Sequence, residues 1–152
     1  MVRFNLKEVE NSLNIEFANP ELIKTALTHS SYAKQVRDVE YNERLEFLGD
    51  SVLQLTITEY LYKKYPDKAE GELTKLRSLI VCENSLYVVS RNLHLSKNIR
   101  MSKGEEMTGG RERVSIQADA VEAVIAAIYL DKGMEVAKEF ILDRFKDSDS
   151  YL

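Results

Sequence analysis

Asn42-Glu43-Arg44-Leu45-Glu46-Phe47-Leu48-Gly49-Asp50-Ser51-Val52-Leu53 is the stretch on which the reading of the whole chain turns. It opens a long helix expected to run to about Tyr65, where Pro66 closes it, because the residue before a proline is pushed out of the helical region. At roughly 100° per residue Glu43, Glu46 and Asp50 fall within about 60° of arc, so three carboxylates share one stripe with no Lys or Arg among them. Each like-charged pair at such spacing costs an isolated helix about 0.2–0.5 kcal/mol. Gly49 adds about 1 kcal/mol relative to alanine, a cost tolerated where another backbone or a ligand comes close. A solvated acidic face is one reading of this stripe, and a cation site is the other.

A second acidic pair bears on the choice. Asp119 and Glu122 stand at i and i+3 in Ala118-Asp119-Ala120-Val121-Glu122-Ala123-Val124-Ile125-Ala126-Ala127-Ile128, a helix apolar enough to be largely buried. An ionised carboxylate there costs several kcal/mol unless it is paired or holds a metal. Internal salt bridges, with Arg44 or Arg77 as partners, are the structural alternative. If the two acidic helices face each other, Glu46 and Asp50 meet Asp119 and Glu122 as an oxygen-only cluster. Such hard ligands suit Mg²⁺ or Mn²⁺ and the hydrolysis of phosphodiesters. The di-iron chemistry of four-helix bundles needs Glu-x-x-His, and the residues three before His29 and His94 are Ala26 and Arg91.

Composition sets the frame. The 152 residues, 44% hydrophobic and 30% charged with two prolines, suit one globular domain with a real core. No run of 18 apolar residues could span a membrane, and Met1 to Glu8 has no signal-peptide character, so a cytoplasmic location is expected. Cys82, the only cysteine, lies in the run Leu79-Ile80-Val81-Cys82 and is expected to be buried and inert. His29 and His94 read as structural residues, with general-base work by either unsupported. A net charge of −4 is awkward for a nucleic-acid protein, but carboxylates gathered around cations leave the remaining surface free to be basic.

Helical periodicity recurs along the chain without a convincing hairpin, so the fold should be all-α. Asn5 caps a first helix with Leu6, Val9 and Leu13 inward, and Asn19-Pro20-Glu21 opens a second, ended by His29-Ser30-Ser31-Tyr32. Residues 33–41 suit a short helix or a loop. Beyond the central helix come a turn at Asp67 to Gly71, a helix through Leu73, Leu76, Leu79 and Ile80, and another from Glu83 to about Leu93. Leu95 to Val114, with three glycines among five Lys and Arg, suggests a flexible loop, either a phosphate contact or a solvated connector. Ser115 should cap the apolar helix Ile116 to Leu130, which Gly133 closes, and Met134 to Phe145 is the last helix.

Asn42 to Ser51 resembles the signature of the ribonuclease III family, the double-strand-specific endoribonucleases. Ala26-Leu-Thr-His-Ser30 upstream, and Ala118-Asp-Ala-Val-Glu-Ala123 with Ile128-Tyr-Leu-Asp131 downstream, match in the right order, so the likeness extends from Leu13 to Phe145. The resemblance implies an all-helical homodimer in which Glu46, Asp50, Asp119 and Glu122 hold Mg²⁺, with Mn²⁺ as substitute, and are the catalytic residues. It further implies that Glu43 lies near the scissile region, that Glu70 binds substrate from the partner subunit, and that Phe47 plugs into a cavity of the other subunit. Gly49 would then serve close approach of the two subunits. Double-stranded RNA, rRNA among it, would be cut to 5′-phosphate and 3′-hydroxyl ends with short 3′ overhangs.

Two departures from the family pattern are visible. Gln117 stands where an aliphatic residue is usual, and no basic double-stranded-RNA-binding domain follows. Residues 1–147 are therefore expected to form a nuclease domain, cut from a longer protein or naturally short, with 148–152 a frayed end or the start of a linker. A non-catalytic helical dimer that binds RNA or protein is the alternative function.

Overall fold

The computed structural model describes residues 3–145. Among these the chain is built from nine α-helices: α1 (Leu6–Leu13), α2 (Pro20–Ala26), α3 (Ser30–Gln35), α4 (Glu43–Lys64), α5 (Glu70–Val81), α6 (Glu83–Asn92), α7 (Lys103–Met107), α8 (Val114–Lys132) and α9 (Met134–Phe145). Two 3₁₀ turns, Ser96–Asn98 and Gly110–Glu112, flank α7. The expected frayed end at 148–152 lies outside the described residues. Among the described residues no helix is long and apolar enough to cross a membrane.

α8 is the axis of the molecule. Ala120, Ala123, Val124, Ile125, Ala126, Ala127 and Ile128 are fully buried, and α2, α4, α6 and α9 pack around them. Its run of alanines matters, because short side chains let neighbouring helices come close on several sides. The closest approach is α4 over Gly49. A Cβ at that position would stand 1.7 Å from the carbonyl oxygen of Glu122, so the two backbones touch and only glycine fits. This corrects the expectation for Gly49: the approach it permits is to α8 of its own chain.

The ends of the elements follow capping chemistry. Asn5 and Asn19 accept from the backbone N–H groups of Glu8 and Glu21 at 3.1 and 3.2 Å, and Pro20 starts α2. α8 runs to Lys132, and the Asp131 carboxylate accepts from the N–H groups of Ala18 and Asn19 at 2.9 and 2.8 Å, tying its end to the start of α2. α8 begins at Val114 with Arg113 in the cap position, two residues before the expected Ser115 cap. His29-Ser30-Ser31-Tyr32 starts α3, with His29 as its N-cap, where the sequence suggested the end of α2. Cys82 is exposed at the bend between α5 and α6, not buried, because the neighbouring Leu79 also faces outward.

Residues 95–114, expected to be a flexible basic loop, are folded on their own cations. The Arg111 guanidinium donates to the carbonyls of Ser96 and Ile99 and to Glu106 at 3.1 Å. Arg113 pairs with Glu105, Lys97 with Glu8 at 2.6 Å, and Arg100 donates to Thr28 Oγ1 at 2.9 Å. Gln117 belongs to the same framework: buried in α8, it accepts from the Ser90 hydroxyl at 2.9 Å and donates to the Arg111 carbonyl at 3.0 Å. Its polar group is thereby satisfied at a site where the family pattern is aliphatic.

Candidate active site

The crossing of α4 and α8 places the two acidic pairs face to face. Carboxylate oxygens of Glu46, Asp119 and Glu122 all lie within 4.8 Å of one another. Asp50, one turn after Glu46, is more exposed and is hydrogen-bonded to Glu122. Together these acids line a cleft of about 570 Å³, with Glu43 and Phe47 on its α4 side and His29 and Ser30 at the start of α3. The α4 entrance is held by Asn42. Buried, it donates from its amide to the Ala26 carbonyl at 3.1 Å and from its backbone N–H to the Thr28 carbonyl at 3.0 Å. Sequence reasoning passed over Asn42 and His29 as parts of the site; the motif spacing alone shows neither tether nor cap.

No Lys or Arg among the described residues forms an ion pair with these carboxylates. Arg77, one of the partners considered, donates to the Thr58 hydroxyl at 2.9 Å instead. The acids therefore answer to burial and to each other. Burial first, then the hydrogen bond and charge of Asp50, push the Glu122 carboxyl up to about 9. Glu46 is raised to about 7, chiefly by burial and then by the charge of Asp119. Burial raises Asp119 as well, partly offset by the hydrogen bond from Glu46. Burial and mutual repulsion thus favour the protonated forms of Glu46 and Glu122.

Oxygen donors on two helices, half-buried and without a cationic partner, fit a divalent cation, whose charge would take the place of those protons. Glu46, Asp119 and Glu122 have the mutual spacing for it, and Asp50 stands beside them. Glu70, at the exposed N-terminus of α5, is not among the residues lining this cleft. Phe47 is 80% exposed, too open for a core aromatic.

Comparison with known proteins bears on the same residues. The model of the family described as ribonuclease-III-like matches residues 19–148. The chain is 70% identical to Ribonuclease 3 of Clostridium perfringens over 147 residues, which is 97% of this chain and 62% of that protein. It is 67% identical to Ribonuclease 3 of Clostridium botulinum over the same length, 63% of that protein. The chain thus spans somewhat under two thirds of the curated relatives it matches. Among solved structures, the nuclease domain of ribonuclease III from Campylobacter jejuni, studied for structural flexibility in a region involved in dimer formation, superposes with a TM-score of 0.88 at 44% identity. That match covers 95% of this chain and 98% of the Campylobacter one. With the acid-bearing helices and the signature around Gly49 both inside the matched range, the chain belongs to the ribonuclease-III-like family.

Proposed function

We propose that this chain is a divalent-metal-dependent endoribonuclease that hydrolyses phosphodiester bonds of double-stranded RNA as a homodimer, in the cytoplasm. The observation that supports this most is the meeting of two acid pairs from separate helices with no Lys or Arg among the described residues paired to them. Glu46, Asp50, Asp119 and Glu122 would hold Mg²⁺, with Mn²⁺ as substitute. A cation held there supplies charge neutralisation at the phosphate and acidifies water for attack. The protein's own contribution is to fix the acids on two rigid helices and to give up their protons when the cation enters, so that affinity rises with pH.

The outer face of α4 supports this assembly. Phe47, Leu55 and Tyr62, 80, 59 and 71% exposed, project from one stripe of that helix, an apolar face suited to a second copy of the chain. In such a dimer Phe47 would plug into the partner, and Glu70, which does not line its own cleft, would serve the other one with Glu43 at the scissile region. Each of the two sites would cut one strand.

The test is to incubate the purified chain with duplex RNA in Mg²⁺ or in chelator, beside Glu122→Gln. Cutting should require Mg²⁺ and fall at least about 100-fold in the variant, since a metal ligand contributes several kcal/mol and each 1.36 kcal/mol is about tenfold. Equal cleavage by the variant would reject the assignment.

A further inference from the structure

His29 lies in the wall of the acidic cleft, and nothing derived so far gives its ring a task there. Its posture is fixed from two directions. Along the backbone, the His29 N–H donates to the Arg100 carbonyl at 2.8 Å while the Arg100 N–H donates to the Leu27 carbonyl at 2.7 Å. Around the ring, Nδ1 accepts from the Ser31 N–H at 3.2 Å and lies 2.8 Å from the Ser31 hydroxyl. The oxygen of that hydroxyl already accepts from the Ser102 N–H at 2.9 Å, which leaves its own proton to point at His29. Two donors converge on Nδ1, so the neutral ring carries its proton on Nε2.

Among the described residues no partner takes that Nε2–H. The ring is half-buried in the wall shared with Glu46, Asp119 and Glu122, near enough to Asp119 to interact with it electrostatically. A cleft walled by carboxylates is short of donors for the oxygens of a phosphate. The Asn42 amide is spent on the Ala26 carbonyl. His29 is the one ring there whose donor is held in place by three other residues.

We propose that His29 is a substrate-contacting residue that donates its Nε2–H to a phosphate oxygen of the RNA at the cleavage site. This rests on the nuclease reading above. The ring acts as a pre-oriented donor, held in place by Ser31 and Ser102.

His29 and His94 are the only histidines, and His94 is not part of the cleft wall, so two imidazoles can be followed separately by nitrogen NMR. At mildly alkaline pH the His29 ring of the free protein should show the Nε2-protonated tautomer. In Glu122→Gln protein, adding duplex RNA with Mg²⁺ should move the His29 Nε2–H resonance and leave His94 unmoved. His29→Asn keeps an oxygen that can accept from the Ser31 N–H, as a favoured N-cap does, but cannot reach the substrate. It should keep its melting temperature and lose about 10- to 100-fold in kcat/KM, the worth of one hydrogen bond to a charged group. An Nδ1-protonated ring, an Nε2–H indifferent to RNA, or His29→Asn cleaving within about twofold of the parent would each overturn the proposal. Failure of the parent chain itself to cut duplex RNA in Mg²⁺ would instead overturn the nuclease reading.

Discussion

At Glu122, burial and the neighbouring Asp50 act in the same direction, holding the carboxyl protonated to about 9 against an ordinary 4.5. A folded-state pKa above the unfolded one means that the native state binds the extra proton, so the stability this group contributes is full below pH 4.5 and is lost as pH rises through 9. Glu46, raised to about 7, adds a loss of the same sign at lower pH. In chelator the chain should therefore melt at progressively lower temperature between mildly acidic and alkaline pH. Glu122→Gln, which cannot ionise, should melt higher than the parent, by a margin that grows across that window. Calorimetry showing the variant less stable at alkaline pH would mean that the carboxylate has a stabilising partner after all. In the parent, Mg²⁺ should restore the lost stability by mass action. At this scale the sequence was informative about acids and less so about exposure. The acids betray themselves by sitting in an apolar helix, whereas Cys82 sits in an apolar run that turns outward at a helix junction, which no local pattern reveals.

The relation between α4 and α8 is set by one missing side chain. Gly49→Ala would drive a methyl group into the Glu122 carbonyl, and because the obstacle is backbone it cannot rotate away. Overpacking of this kind typically costs about 1–3 kcal/mol, and here it also separates the acid pairs. The variant should lose stability and cleavage together, measurable as a lowered denaturation midpoint and slower cutting of duplex RNA; an unaffected protein would show that the two helices have room to part. Helices α1, α2, α4 and α9 were legible in advance because periodicity runs through them, Asn5 and Asn19 cap α1 and α2, and Pro20 and Pro66 mark a start and an end. Residues 95–114 were not. Their glycines and charges look like a loop, and their order comes from Arg111 and Arg100 reaching carbonyls and hydroxyls far along the chain. The start of α3 was missed because histidine is not among the usual N-cap residues.

In the whole molecule, the acids face one way and the apolar stripe of α4 faces another, so a single helix offers both a site and a candidate seam. If a second copy covers Phe47, Leu55 and Tyr62, Phe47→Ala leaves an aromatic-sized hole at the seam. Sedimentation should show the dimer Kd raised at least about tenfold, as for a central anchor residue, and an equally tight dimer would remove Phe47 from that role. The convergence of acids was expected from two motifs some seventy positions apart in sequence, but the element that enforces it, Gly49 against the Glu122 carbonyl, was read as a contact between subunits because a glycine's neighbour cannot be named from sequence. Whether that convergence exists to hold a cation is most directly tested by titrating Mn²⁺ into the chain and into Glu122→Gln under electron paramagnetic resonance. Saturable binding that Mg²⁺ displaces and the substitution abolishes is the predicted result. Identical binding by both proteins, or none by the parent, would contradict it.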